Sequence, residues 1–323
     1  MKAAVATEQG LALRDIVQPK PKPNEVLVRV RAAALNRADL AVARGLPHGR
    51  HSGIGATVGL EWAGEVVETG AEVEGYAPAD RVMCSGNGGY AEYAVSDWGR
   101  VNPMPDVKSF EQAATLPVAL ITLHNALLTA GRLRRGERVM IQGASSGVGL
   151  MGLQIAKQMG AELVVGSSTN DARRARLKEF GADLAVDTGD PAWADAVLAA
   201  TGGNGVDLVV DMLSGPVVVQ TMKATAIRGR IVNVGRLAGM KAELDFDLHA
   251  LRRIDYIGVT FRTRSLEEVR EINRRMRADL WDAVEAGKLA LPIDRTFTLD
   301  DAVAAQAHMR ANAHFGKIVI TVS

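Results

Sequence analysis

Cysteine is almost missing, with Cys84 standing alone among 323 residues. One thiol builds neither a disulfide framework nor a multi-cysteine zinc site, and the reducing cytosol is the natural compartment for such a chain. Aromatic residues make up only 4%, so a core must rest mainly on aliphatic side chains. An excess of one charge is missing too. Against 38 Lys and Arg stand 37 Asp and Glu, and like charges cluster only in pairs such as Arg134–Arg135 and Arg252–Arg253. Nothing in that balance demands nucleic acid or an anionic membrane as a partner. No stretch is expected to span a membrane, and the opening MKAAVATEQG breaks at Thr7–Gln9, too early for a signal peptide.

What is present is apolar bulk and glycine. Apolar residues form 47% of a chain long enough to predict two domains. The organising stretch is Arg138–Gly160, RVMIQGASSGVGLMGLQIAKQMG. It reads as a strand, a turn containing Gly143, Ser145, Ser146 and Gly147, and a helix opening at Val148 and Gly149. Leu150, Leu153, Ile155, Ala156 and Met159 give that helix an apolar stripe, and Gly160 supplies its left-handed stop. Free N–H groups and the positive end of a helix dipole then meet at a glycine turn, which suits a pyrophosphate. A second strand at Glu162–Val165 completes the context for dinucleotide binding.

Residues 1 to about 117 are strand-rich, with Lys2–Thr7, Glu25–Ala34, Glu61–Thr69 and Tyr90–Val95 as the expected strands and Leu35–Arg44 as a short helix. From about Leu116 strands alternate with helices as far as residue 234, the signature of a parallel sheet covered on both faces. Tyr256–Thr260 can add a last strand. Ser265–Ala286 reads as a long helix with a Ser-x-x-Glu start, Thr298–Arg310 as a final helix and Lys317–Val322 as a closing strand. The fold class is therefore α/β, a doubly wound parallel sheet beside a compact β-rich domain.

Several segments together resemble one family. They are Asn36-Arg37-Ala38-Asp39-Leu40, Gly59-Leu60-Glu61-Trp62-Ala63-Gly64, Asp80-Arg81-Val82, Gly88-Gly89-Tyr90-Ala91-Glu92-Tyr93 and Leu116-Pro117 with Thr122. Gly136–Val139 leading into the glycine turn, Gly229–Val232 with Gly235, Phe261–Ser265 and Gly316–Val319 continue the likeness to the end of the chain. The sequence resembles the medium-chain dehydrogenase/reductase superfamily in its zinc-free quinone oxidoreductase (zeta-crystallin-like) branch. That resemblance implies a Rossmann domain over 118–257 and a GroES-like substrate domain formed by 1–117 and 258–323. It implies a homodimer, through strands near Ile254–Val259. It also implies Asn36 near the nicotinamide and acceptor, Thr122 near the nicotinamide ribose or amide, Lys317 as a cleft lysine, and Phe261 and Arg262 toward the cofactor with Gly235. Asn36 equally fits a residue that fixes its own turn.

Zinc-using relatives carry a Cys near positions 36–39 and a His beside Glu61; here Asn36–Asp39 and Leu60 occupy those places. His48 and His51, three apart in a Gly- and Pro-rich loop, lack further ligands nearby, so no metal is expected. The strand after the glycine helix ends in Gly166-Ser167-Ser168-Thr169-Asn170 instead of a carboxylate, with Arg173 and Arg174 one turn later. Hydroxyls and guanidinium suit a 2′-phosphate, which predicts NADPH, although Thr188 stands where relatives stack a Tyr. Without a Lewis acid the acceptor should already be activated, as a quinone or an enone is. A medium-chain enoyl thioester reductase and an NADPH-binding protein with little turnover are the rivals. A short-chain dehydrogenase is rejected, because none of Tyr76, Tyr90, Tyr93 and Tyr256 has a Lys four residues on.

Overall fold

The computed structural model describes residues 1–46 and 53–323. The loop histidines His48 and His51 lie outside the described residues. The chain divides into two compact units, Met1–Ile121 with Phe261–Ser323, and Thr122–Thr260.

The first segment carries strands β1 (Lys2–Thr7), β2 (Gly10–Asp15), β3 (Glu25–Ala34), β4 (Glu61–Thr69), β5 (Arg81–Ser85), β6 (Tyr93–Asp97) and β7 (Val101–Pro103). Helix α1 is only Asp39–Val42, shorter than its sequence pattern suggests. Its N-cap is Ala38, which offers no side-chain oxygen to the first turn, and the left-handed Gly45 follows. Helices α2 (Phe110–Ala114) and α3 (Pro117–His124) then run into a π-helical turn at Asn125–Ala130. By length and composition Phe110–Ala130 could cross a membrane, contrary to the sequence expectation, but 72% of its apolar window is buried inside the protein. It reads as a core helix.

The second unit holds β8 (Arg138–Ile141), α4 (Gly147–Gln158), β9 (Leu163–Ser167), α5 (Asp171–Arg176), β10 (Leu184–Val186), α6 (Trp193–Ala200) and β11 (Val206–Asp211). After these come α7 (Val218–Ala224), β12 (Thr225–Asn233), α8 (Phe246–Arg252) and β13 (Asp255–Gly258). The six strands are all parallel, in the order β10-β9-β8-β11-β12-β13. The order reverses between β8 and β11, so the carboxyl ends of those strands form the switch point where such sheets bind ligands. Met140, Val165, Val209 and Ile231 fill the sheet's core. Gly152 lets α4 lie close to the sheet, since a Cβ there would stand 3.3 Å from Ile141 Cδ1 of β8.

The chain returns to the first unit through α9 (Leu266–Glu285), β14 (Ile293–Thr298), α10 (Ala302–Arg310) and β15 (Lys317–Thr321). The expected capping box is present: Glu268 N donates to Ser265 Oγ at 3.2 Å and Ser265 N to Glu268 Oε2 at 2.8 Å. The main sheet runs β14-β15-β3-β4-β5-β7, with β6 also paired to β3. Trp62 and Tyr90 are fully buried in its core. The indole fits because Gly86 and Gly89 leave room; a Cβ on them would come within 2.6 and 2.8 Å of the ring.

Candidate functional site

Sheet register in the first unit gathers three polar residues at one end. Antiparallel pairing sets Val319 of β15 opposite Ala34 of β3, and Ala33 opposite Trp62 of β4. Asn36 just past β3, Glu61 at the start of β4 and Lys317 at the start of β15 therefore become neighbours. Lys317 Nζ donates to Glu61 Oε1 at 2.5 Å, Leu35 O at 2.8 Å and Asn36 Oδ1 at 3.2 Å. Asn36 Nδ2 donates to Glu61 Oε1 at 2.9 Å, and Val118 N donates to Glu61 Oε2 at 2.8 Å. The ion pair is buried at both ends.

Asp39 lies beneath this group. Its Oδ2 accepts from Asn36 N and from the Tyr90 hydroxyl, both at 2.7 Å. Its Oδ1 is buried with no partner among the described residues. Full burial pushes the Asp39 carboxyl up to about 7 and the Tyr90 phenol well above its ordinary value. Sequence reasoning missed the roles of Glu61, Asp39 and Tyr90. The available signal was a lone acid and a lone base inside apolar strands, VGLEWAG and GKIVI, whose only stable buried state is a pair. Trp62, next to Glu61, is core. Cys84 is also fully buried, and burial pushes its thiol up, which makes it inert.

In the second unit the glycine turn has the shape its sequence suggests. Gly143 takes φ +67°, and a Cβ on Gly149 would lie 2.6 Å from both Ala144 Cα and Gly143 O. Ser146 is the N-cap of α4; its hydroxyl accepts from Gly149 N at 3.1 Å and donates to Gly143 O at 3.0 Å. The N–H groups of Gly147 and Val148, in the first turn, have no acceptor within the helix. Ser167 is fully buried and accepts from Gly143 N at 3.1 Å, so it braces the turn from behind. Ser168 donates to Ser145 Oγ at 3.1 Å, joining the end of β9 to the turn.

Arg174, beside Arg173 on α5, donates to Ser168 O at 2.9 Å and pairs with Asp171 at 2.6 Å and Asp187 at 3.3 Å. Arg173 is half-buried, and its N–H donates to the Asn170 cap at 3.0 Å. Gly235 packs tightly, since a Cβ would stand 2.7 Å from Met212 O. Beside it the buried Asp211 carboxylate accepts from Leu213 N and Ser214 N, both at 2.8 Å. Ser214 sits at φ +54°, rare for a residue with a Cβ, and its hydroxyl receives Asn233 Nδ2. These three residues were not singled out in the sequence. Thr122 is partly exposed on α3, Phe261 partly exposed and Arg262 exposed. Among the described residues no group of three or more His, Cys, Asp or Glu is placed to hold a metal.

A doubly wound parallel sheet with a glycine turn at its helix N-terminus, in a chain with a second, β-rich unit, is the architecture of the dinucleotide-binding dehydrogenase and reductase class. Two domain models match the chain, an alcohol dehydrogenase GroES-like domain over 22–106 and a zinc-binding dehydrogenase over 147–277. Quinone oxidoreductase from Rattus norvegicus is 28% identical over 95% of this chain and 92% of its own length. A phenolphthiocerol/phthiocerol polyketide synthase from Mycobacterium tuberculosis is 32% identical over 97% of this chain, which spans only 14% of that protein. Among solved structures, a probable oxidoreductase from Mycobacterium abscessus matches at 30% identity over 99% of both chains, with a TM-score of 0.83. The CurK enoyl reductase matches at 26% identity over 100% of this chain and 99% of its own, with a TM-score of 0.87. A mycobacterial protein solved with NADPH matches at 25% identity over 99% and 100% of the two chains, with a TM-score of 0.87. The chain belongs to the medium-chain dehydrogenase/reductase superfamily, in its quinone oxidoreductase-like branch.

Proposed function

We propose that the chain is an NADPH-dependent reductase that passes hydride to an activated conjugated carbonyl, with quinones as the first acceptor class. The observation that carries the reading is the Lys317 ammonium bonded to both Glu61 and Asn36. A cation already neutralises the carboxylate beside the positions where zinc-using relatives place their ligands, and among the described residues no cluster of His, Cys, Asp or Glu accompanies it. That donor set fits an internal ion pair and does not fit zinc. On this reading carbonyl polarisation comes from conjugation in the acceptor itself.

The residues present fit NADPH. The turn at Gly143, Ser145, Ser146, Gly147, Val148 and Gly149 offers main-chain N–H groups and closely approachable backbone to a diphosphate, and Gly235 offers a second close approach. At the end of β9, Ser168 offers a hydroxyl and Arg173 a guanidinium toward a 2′-phosphate, with Ser167 as support behind them. Phe261, Arg262 and Thr122 complete the proposed cofactor contacts. The Lys317 hydrogens are all spent within the first unit, so Lys317 is left out of that set. NADPH, when bound, supplies the hydride. The acceptor oxygen takes the displaced electron pair, Asn36 offers it an N–H, and water returns the proton.

A second reading, an enoyl reductase acting on conjugated thioesters, is favoured by the likeness to CurK and to a polyketide synthase. Assaying NADPH oxidation with phenanthrenequinone, benzoquinone and crotonyl thioester in parallel tests both. Turnover with the quinones supports the first reading, turnover confined to the thioester replaces it with the second, and turnover with neither overturns both. Equal kcat/KM for NADH and NADPH would remove the cofactor assignment.

The same reading includes a homodimer in the cytoplasm. Strand β13 is an unpaired sheet edge, and Met240, Phe246 and Leu251 nearby in sequence are 83%, 75% and 67% exposed. An open edge, and large exposed apolar side chains in the segment leading to it, both call for a partner. Light scattering is expected to return twice the chain mass, and Tyr256→Pro, which removes an N–H on the open side of β13 (Val259 N, three residues on, faces β12), is expected to shift it toward one.

A further inference from the structure

The group around Asn36 spends nearly all of its hydrogen-bonding capacity on itself. An ammonium has three hydrogens and no acceptor, and those of Lys317 go to Leu35 O, Asn36 Oδ1 and Glu61 Oε1. A carboxylate only accepts, so the Asn36 atom facing Glu61 must be Nδ2 and the one facing Lys317 must be Oδ1. The amide therefore has one orientation, enforced from both sides. Its backbone is held as well, because Asn36 N donates to Asp39 Oδ2, which the Tyr90 hydroxyl also engages. Lys317 is 3% exposed, Glu61 and Asp39 are 0%, and Asn36 is 8%. Of the four, Asn36 reaches furthest toward the surface, and its second Nδ2 hydrogen has no partner among the described residues.

We propose that Lys317 and Glu61 are positioning residues that lock the Asn36 carboxamide so that its one uncommitted N–H is held toward the acceptor oxygen. This rests on the reading above that Asn36 serves the acceptor. An ion pair in a dry site is a stiff fixture for a neutral donor. Charge developing on the acceptor oxygen during hydride transfer gains from a donor that needs no reorientation at that moment. Lys317 then acts through Asn36, without touching the cofactor.

Removing Lys317 alone strands a buried carboxylate and endangers the fold. The informative variant is the neutral pair Glu61→Gln with Lys317→Met, which leaves Asn36 free to rotate. Its expected signature is a kcat for quinone lowered about 100-fold, the scale of one lost preorganised donor, with NADPH affinity within about twofold of the parent. Asn36→Ala is expected to lose a similar factor. Combining it with the pair should cost no further activity, since residues acting through one another do not add. Glu61→Gln alone serves if the pair does not fold, with an expected loss of about tenfold and the same silence toward Asn36→Ala. Weakened NADPH binding with kcat intact would make Lys317 a cofactor group and overturn the proposal, as would additive losses or a pair with parental kcat while Asn36→Ala is impaired. Parental kcat in Asn36→Ala would overturn the underlying reading of Asn36 itself.

Discussion

Gly149→Ala is expected to weaken NADPH binding about 100-fold, on the order of 2.7 kcal/mol. The reason is the identity of the atoms that a new Cβ would meet. They are Ala144 Cα and Gly143 O at 2.6 Å and Ala144 C at 2.8 Å, all main chain. None of these can swing aside as a side chain would, so the turn itself must move. That turn carries the N-cap of α4, where Ser146 holds Gly149 N, and it sets the direction of the Gly147 and Val148 N–H groups. A displaced turn spreads those groups and forfeits their joint hold on a diphosphate. Gly152→Ala, one turn along the same helix, is the control. Its Cβ would meet Leu123 Cδ1 at 2.8 Å, the far end of a flexible side chain. Overpacking there should cost stability, roughly 1–3 kcal/mol, while NADPH affinity stays close to that of the parent. Calorimetric titration of both variants, alongside thermal unfolding, checks the contrast; equal affinities would show that the turn is not the diphosphate cradle.

How much of this was legible beforehand follows from the range of the interactions involved. The glycine turn is local. A strand, three glycines, a serine cap and a helix lie within about two dozen residues, and the α/β alternation after it repeats the same short-range grammar. The parallel sheet follows from that pattern, and the structure has it. The short edge β14 escaped, because its sequence IDRTFT carries charges and mixed polarity instead of clean alternation. Helix α1 was overestimated, since nothing in a propensity count shows that its first turn lacks a side-chain cap. The cluster of Asn36, Glu61 and Lys317 was legible only in fragments. Asn36 and Lys317 were found singly through likeness to a family, yet their sequence separation of 281 residues hid the bond between them. Register in an antiparallel sheet joins them, and register is fixed by turns and core packing along the whole sheet. Asp39 and Tyr90 depended on the same long-range closure. A lone buried charge in a strand says that a partner exists without saying which one.

Asp39 gives the clearest pH-dependent expectation. Its carboxyl is raised from 3.8 to about 7, first by burial, against the lowering effects of the Tyr90 hydroxyl, Asn36 N–H and Lys317 ammonium, with Glu61 adding to the rise. A raised acid binds its proton more tightly in the folded chain than in the unfolded one. Folding stability from this group is therefore fully present below the unfolded value near 3.8 and is lost as pH climbs through about 7. Above that the penalty is constant, at an upper bound on the order of 4 kcal/mol. Asp97 and Asp207 act in the opposite sense, because arginine neighbours hold them low. The effect of Asp39 must accordingly be read as a difference against Asp39→Asn, in which those other groups cancel. Urea unfolding of the two proteins at intervals across that window is expected to show the variant gaining on the parent as pH rises, with the gap levelling off above about 7. The unpartnered Oδ1 makes the same point structurally, since a negative charge there has no donor to receive it. A gap that does not change with pH would mean that Asp39 binds its proton equally well folded and unfolded, so that it is ionised in the native cluster at neutral pH.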